Sequence, residues 1–218
     1  MKDLTIIIPC YNEEENINSL CDKLFDLGLQ GNTLFIDDGS LDMTGLSIIT
    51  NKFKRIRLPE NKGIGNAINK AIPHIKTKYF AVLDADMTYE PSIILEMFKQ
   101  IGNADMITAS PYHPKGKVEG VSKLRLLLSK TISKLYRIKT GKKIHTWTAM
   151  VRIYKTNKIP FIENNGFISQ AEIMIKMLKK GYKIKEYPTI LTTRQKGQSK
   201  MNLVKTILSH IKLLTRDK

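Results

Sequence analysis

The sequence predicts an α/β fold, a mostly parallel sheet with helices on both faces. Three observations predict it. Short apolar runs rich in β-branched residues alternate with segments of helical periodicity through the first hundred residues. The runs are apolar throughout rather than alternately polar, as expected of strands buried on both sides. Chemistry-bearing residues follow the runs instead of interrupting them: Tyr11-Asn12-Glu13, Asp37-Asp38 and Asp84-Ala85-Asp86. In an open parallel sheet such residues converge on one crevice beyond the carboxyl ends of the strands.

Taken in order, Leu4–Ile8, closed by Pro9, reads as a buried strand. Residues 12–27 place Ile17, Leu20, Cys21, Leu24 and Leu27 at helical spacing, with Asn12 as candidate cap and Glu13, Glu14 and Glu15 at the positive end. Gly28 and Gly31 end that helix. Thr33–Ile36 is a second strand, 44–52 a helix, Arg55–Leu58 a third strand and 65–75 a third helix. Tyr79–Leu83 is a fourth strand, Pro91 opens a helix to Ile101, and Met106–Ala109 is a fifth strand. In the second half, Val121, Leu124, Leu128, Ile132, Leu135 and Ile138 share one helix face, with Lys123, Arg125, Lys130, Lys134 and Arg137 largely elsewhere. Strands are expected at 148–154 and 183–187 and a helix at 170–179. A second basic amphipathic stretch holds Val204, Ile207, Leu208, Ile211 and Leu214, with Lys205, Lys212 and Arg216 outside. Both basic stretches suit either packing on the sheet or lying at a membrane interface.

The 218 residues are 42% hydrophobic and 26% charged, which excludes collagen, low-complexity disorder and a disulfide scaffold. Cys10 and Cys21 sit inside apolar patterns and read as small buried hydrophobes. No apolar run reaches the ~18 residues of a spanning helix, and the first run is too short for a signal peptide. The expected location is cytoplasmic, peripheral at the cytoplasmic face of a membrane. With no repeat and no linker-like break, 1–218 reads as one domain. The net charge of +16 divides sharply: residues 1–109 sum to −4 and residues 110–218 to +20. The second half is therefore expected to meet an anionic partner, with phosphorylated lipid, an anionic membrane surface and nucleic acid all qualifying.

Asp84-Ala85-Asp86 puts two carboxylates one residue apart at a strand end, within reach of a hard divalent cation such as Mg²⁺ or Mn²⁺. Asp37-Asp38-Gly39-Ser40 follows an earlier strand and suits either a turn or a carboxylate that accepts from a base N–H or a ribose hydroxyl. Two acidic pairs on one rim repel unless a cation or a donor-rich ligand lies between them. Tyr11 is placed either to stack on a base or to pack, and Glu13 either to bond a ligand or to complement a helix end. Asn61-Lys62-Gly63-Ile64-Gly65-Asn66-Ala67 lacks the phosphate-loop spacing and reads as a tight turn into a helix. Residues 194–200, Arg-Gln-Lys-Gly-Gln-Ser-Lys, form a basic loop able to fold over phosphates. The four histidines are scattered and take no role.

These motifs, in this order, resemble family 2 glycosyltransferases of the GT-A (Rossmann-like) fold, and within them the dolichyl-phosphate mannosyltransferases and related polyprenyl-phosphate sugar transferases. The motifs are residues 6–14, 36–40, 61–67, 83–86 and 194–200, so the resemblance covers nearly the whole chain. It implies a nucleotide sugar held by Pro9, Tyr11, Glu13, Asp37, Asp38, Asp84 and Ala85, and a metal at Asp84 and Asp86. It implies an acceptor lipid phosphate met by Arg125, Glu172, Arg194, Ser199 and Lys200, with Asp86, Arg125 and Arg194 as catalytic positions. Residues 1–109 would be the donor and metal half, 110–218 the acceptor and membrane-facing half. The chain departs from the family pattern at Thr88, where Gln is usual, at Pro111, where Arg is usual, and in Thr148-Ala149-Met150-Val151-Arg152.

The expected reaction is an inverting, metal-dependent transfer of a sugar, with GDP-mannose the favoured donor, to polyprenyl or dolichyl phosphate. A phosphate acceptor is already ionised near neutral pH and needs alignment more than a base. One alternative is transfer to a glycan or protein hydroxyl, which requires a base, with Glu172 the candidate. A second is an inactive basic protein bound to membrane or nucleic acid. Few aromatics interleave with the basic runs, so no nucleic-acid partner is expected.

Overall fold

The computed structural model describes residues 2–194, 196–197 and 203–216. The seven apolar or nearly apolar residues of β1 (Leu4–Cys10) are almost all buried, because helices cover both of its faces. Alternate side chains go to opposite layers. Ile6, Ile8 and Cys10 join Ile17, Leu20, Cys21 and Leu24 of α1 (Glu14–Asp26) and Ile94 and Met97 of α4 (Ile93–Gln100). Ile7 joins Ile68 of α3 (Ile64–Ala71), Tyr136 of α5 (Lys123–Thr140) and Met174 of α6 (Ser169–Lys179).

β2 (Thr33–Asp37) and β4 (Tyr79–Val82) flank β1 in parallel, and β3 (Lys54–Arg57) lies outside β2. The chain thus leaves β1 toward one edge for two strands and returns to its other side. The reversal opens a crevice between the carboxyl ends of β1 and β4, where ligands of open α/β sheets bind. The helix α2 (Thr44–Thr50) connects β2 to β3.

Beyond β4 the sheet changes direction. β7 (Arg152–Lys155) runs antiparallel between β4 and β5 (Met106–Ser110), and β8 (Ile184–Pro188) runs parallel to β5 at the edge. β6 (Lys117–Val118) and β9 (Ile190–Leu191) form a separate parallel pair. The sheet is mostly parallel, as the sequence predicts. The strand expected over 148–154 is shorter and shifted, because Thr148, Ala149 and Met150 line the cavity before the ladder begins at Arg152.

Two local expectations are corrected. Asn12 does not cap α1. It sits at a left-handed φ of 49°, its amide donates to Ser40 Oγ (3.0 Å), and its side-chain oxygen accepts from the Leu41 amide (2.8 Å). Asn12 therefore joins the loop after β1 to the loop after β2. The apolar face read on α5 is also rotated: Ile132, Ser133 and Tyr136 are buried, while Leu124, Leu127, Leu135 and Ile138 are exposed. The helix α7 (Leu203–Arg216) packs beside α5 through a hydrogen bond between Tyr136 Oη and His210 Nδ1 (3.0 Å).

Candidate active site

A cavity of about 810 Å³ opens at the β1/β4 crevice and extends under α5 and α7. One of its walls carries Pro9, Tyr11, Glu13, Asp38, Asp84, Ala85 and Asp86. Its far wall carries Ser122, Arg125, Leu128, Ser129 and Ile132 of the α5 region, with Thr148 and Met150 opposite and Ile207 and His210 from α7. One continuous space therefore joins an acidic end to a wall that presents Arg125.

The acidic end is built by turns. After β4, Asp84 is partly buried and accepts no hydrogen bond from the described residues. Burial pushes its carboxyl well above its ordinary value, and the neighbouring Asp86 charge adds to that, against a smaller opposing pull from Arg194. Asp86 Oδ1 accepts from the Thr88 amide (3.1 Å) and hydroxyl (2.8 Å), and Oδ2 faces Arg194 Nη2 at 3.0 Å. Between them Met87 holds φ at 61°, strained for a long side chain and kept there by its burial in the core. Among the described residues no group of three or more His, Cys, Asp or Glu is arranged around a metal. Two facing carboxylates, one without a donor, nevertheless suit an ion such as Mg²⁺ or Mn²⁺ that takes one or two protein oxygens and completes its shell with water and substrate phosphate.

The walls depend on residues set further back. Asp38 Oδ2 accepts from the Gly63 amide (2.6 Å) and Oδ1 from the Lys62 amide (3.2 Å). These bonds fix the 61–64 turn, which leads into α3 as expected. Gly63 has φ 94°, and a Cβ on Gly65 would lie 2.1 Å from the Asn164 carbonyl oxygen, so only glycine allows the 163–166 loop to approach. That loop is held from below by Glu172, which accepts from the amides of Glu163 and Asn164, from Asn164 Nδ2, and from Lys176.

Of the expected site residues, Pro9, Tyr11, Glu13, Asp38, Asp84, Ala85, Asp86, Arg125 and Arg194 all line the cavity. Asp37 does not. It is buried beneath the turn, accepting from the Ser40 amide (2.8 Å) and pairing with Arg55 (3.4 Å). Glu172 also lies behind the wall rather than on it, because its oxygens are taken by the loop it supports. Ser199 and Lys200 lie outside the described residues. Unanticipated contributors are Ser129, one helical turn from Arg125, and Asn16, whose amide bonds Glu13 (2.7 Å) and the Lys196 carbonyl (3.3 Å), while Thr88, which the sequence marks only as a departure from the family pattern, holds Asp86. Among the described residues no carboxylate pairs with Arg125, which lines the cavity together with Tyr112 and Ser129.

Residues 5–159 match the model of glycosyl transferase family 2. Polyprenol monophosphomannose synthase of Mycolicibacterium smegmatis is 28% identical over 212 residues, covering 90% of this chain and 80% of that protein. Dolichol-phosphate mannosyltransferase of Pyrococcus furiosus is 31% identical over 225 residues, covering 98% of this chain but only 63% of that protein. Glucosyl-3-phosphoglycerate synthase of Mycobacterium tuberculosis, solved with Mn²⁺, uridine diphosphate and glucosyl-3-phosphoglycerate, superposes with a TM-score of 0.75 at 16% identity, covering 99% of this chain and 80% of that one.

Proposed function

Because the chain belongs to glycosyl transferase family 2, we propose that this glycosyltransferase moves a sugar, mannose from GDP-mannose by preference, onto polyprenyl or dolichyl phosphate with inversion at the anomeric carbon. The observation that carries this reading is the continuity of the cavity, acidic between Glu13 and Asp86 and lined at its other wall by Arg125. The names of the two mannosyl-transferring relatives support the acceptor and the sugar.

The donor nucleoside lies along Pro9, Tyr11, Glu13 and Asp38. The Asp38 carboxylate keeps lone pairs for a ligand donor besides the two backbone bonds it accepts. Asp84 and Asp86 hold Mg²⁺ or Mn²⁺, whose chemistry when bound is to offset the charge on the departing nucleoside diphosphate. The ions and uridine diphosphate in the M. tuberculosis relative support that assignment. Arg125 and Ser129 orient the acceptor phosphate, one of whose oxygens attacks the anomeric carbon as the bond to the diphosphate breaks. Arg194 faces the same space from the opposite side. Since the attacking oxygen is already anionic, the chain supplies alignment and charge rather than a base.

The exposed Leu124, Leu127, Leu135 and Ile138 of α5 lie among Lys123, Lys130, Lys134 and Arg137, and Leu208 and Ile211 of α7 are exposed nearby. We assign this surface to an anionic bilayer carrying the acceptor, reached peripherally from the cytoplasmic face. Among the described residues no helix is long and apolar enough to cross a membrane.

The test is incubation with a panel of labelled nucleotide sugars and a short polyprenyl phosphate, with and without Mn²⁺. The expected product is a sugar lipid that partitions into organic solvent, formed best from GDP-mannose. Product confined to water would refute the lipid acceptor.

A further inference from the structure

We propose that Asp86 Oδ2 is an exchange position, held by the Arg194 guanidinium before a divalent cation binds and by the cation afterwards, with Thr88 as the positioning residue that keeps this oxygen aimed at either occupant. The inference rests on the metal role assigned to Asp84 and Asp86.

Thr192, Thr193 and Arg194 line the cavity, and Thr192, Arg194 and Lys196 tie this strap to the segments around it. At one end the Thr192 amide (3.0 Å) and hydroxyl (3.1 Å) both donate to the Thr88 carbonyl. In the middle Arg194 Nη2 reaches Asp86 Oδ2 (3.0 Å) and Glu13 Oε1 (3.2 Å). At the other end the Lys196 carbonyl accepts from Asn16 Nδ2 (3.3 Å). Thr88 is thus shared. Its amide and hydroxyl hold Asp86 Oδ1, and its carbonyl holds the strap.

The charges explain the arrangement. Glu13, Asp84 and Asp86 converge, and burial makes their repulsion costly. Arg194 supplies the positive charge among the described residues of this cluster, and its single Nη2 serves both Glu13 and Asp86. A divalent ion seeks the same oxygen. Two cations at one oxygen repel, so binding of the ion displaces the guanidinium. The oxygens of the ion-borne diphosphate then offer Arg194 a new bidentate partner. Arg194 therefore opposes the bare ion and favours the ion accompanied by nucleotide.

This sign reversal is the test. Mn²⁺ binding to the full chain is read by electron paramagnetic resonance of the free ion, alone and with GDP or UDP. Arg194→Gln is expected to bind Mn²⁺ alone roughly tenfold more tightly than wild type, and the Mn²⁺–nucleotide pair roughly tenfold more weakly. Arg194→Lys, which keeps the charge, stays close to wild type for the bare ion. Thr88→Val weakens Mn²⁺ binding in both settings, and Thr88→Ser restores it. A strap with a merely structural role would weaken both kinds of binding in Arg194→Gln. Bare-ion affinity that is unchanged or lower in Arg194→Gln overturns the exchange while leaving the metal role intact. A wild-type chain that takes up no Mn²⁺ even with nucleotide overturns both.

Discussion

Asp38 and Glu172 show how a carboxylate shapes a site through backbone amides. Removing Asp38 leaves the amides of Lys62 and Gly63 without their acceptor. Asp38→Ala is expected to cost about 1–3 kcal/mol in chemical denaturation and to weaken nucleotide binding as the 61–64 turn loosens. Glu172 tests a different point. Burial pushes its carboxyl up, but bonds from Lys176, Glu163 and Asn164 outweigh that and bring it below its ordinary value. Its stabilising contribution is then present above the unfolded value of about 4.3 and is lost as pH falls through the lower folded value. Glu172→Gln should be less stable than wild type at pH 7, and the gap should close under acid conditions. A transfer rate that collapses in this variant with no change in stability would restore Glu172 as a base. Arg125 tests the proposed acceptor site: Arg125→Gln should raise KM for polyprenyl phosphate by about 10- to 100-fold, as expected for a lost charge-assisted bond, with nucleotide affinity unchanged.

At the scale of elements, α5 and α7 both contribute to the cavity wall and are joined where Tyr136 meets His210. Burial pushes His210 down to about 4. A histidine depressed when folded stabilises fully above its unfolded value of about 6.5 and loses that contribution as pH falls toward the folded one. The protection factors of the 206–214 amides, taken against the intrinsic exchange rate at each pH, should therefore fall between pH 7 and pH 5, and His210→Asn should flatten this dependence. β1, β2 and β4 were legible because strands covered on both faces are apolar at every position, which leaves a signal in one short window. The orientation of α5 was not, because its leucines at 124, 127 and 135 do not pack inward, so periodicity alone chose the wrong stripe. Thr88 stands out in the sequence only as a departure from the family pattern, and its contact with Thr192, like that of Asn16 with Lys196, was invisible for another reason. The partners lie 104 and 180 residues away, and neither residue type signals that contact. Asp37 and Asp38 were found together, but which of them faces the cavity is decided by the Asp37–Arg55 pair on the adjacent strand.

Across the whole molecule the divided charge, −4 against +20, offers a test of the proposed bilayer contact. Binding to anionic vesicles should fall steeply as salt rises, because exposed charges are screened over roughly 10 Å at 0.1 M. Leu124→Ser with Leu127→Ser should weaken flotation without altering nucleotide affinity. Flotation equal to wild type would remove α5 from the bilayer contact. The antiparallel insertion of β7 has one more consequence. β5 belongs to the first half by sequence, yet its ladder partners among the described residues, β7 and β8, arrive from the second. A fragment ending near residue 110 would expose the flank of β4 and strand β5 with no neighbour. Recombination that exchanged the two halves between relatives would have to preserve that interleaving, so the two halves are bound to be inherited as a unit.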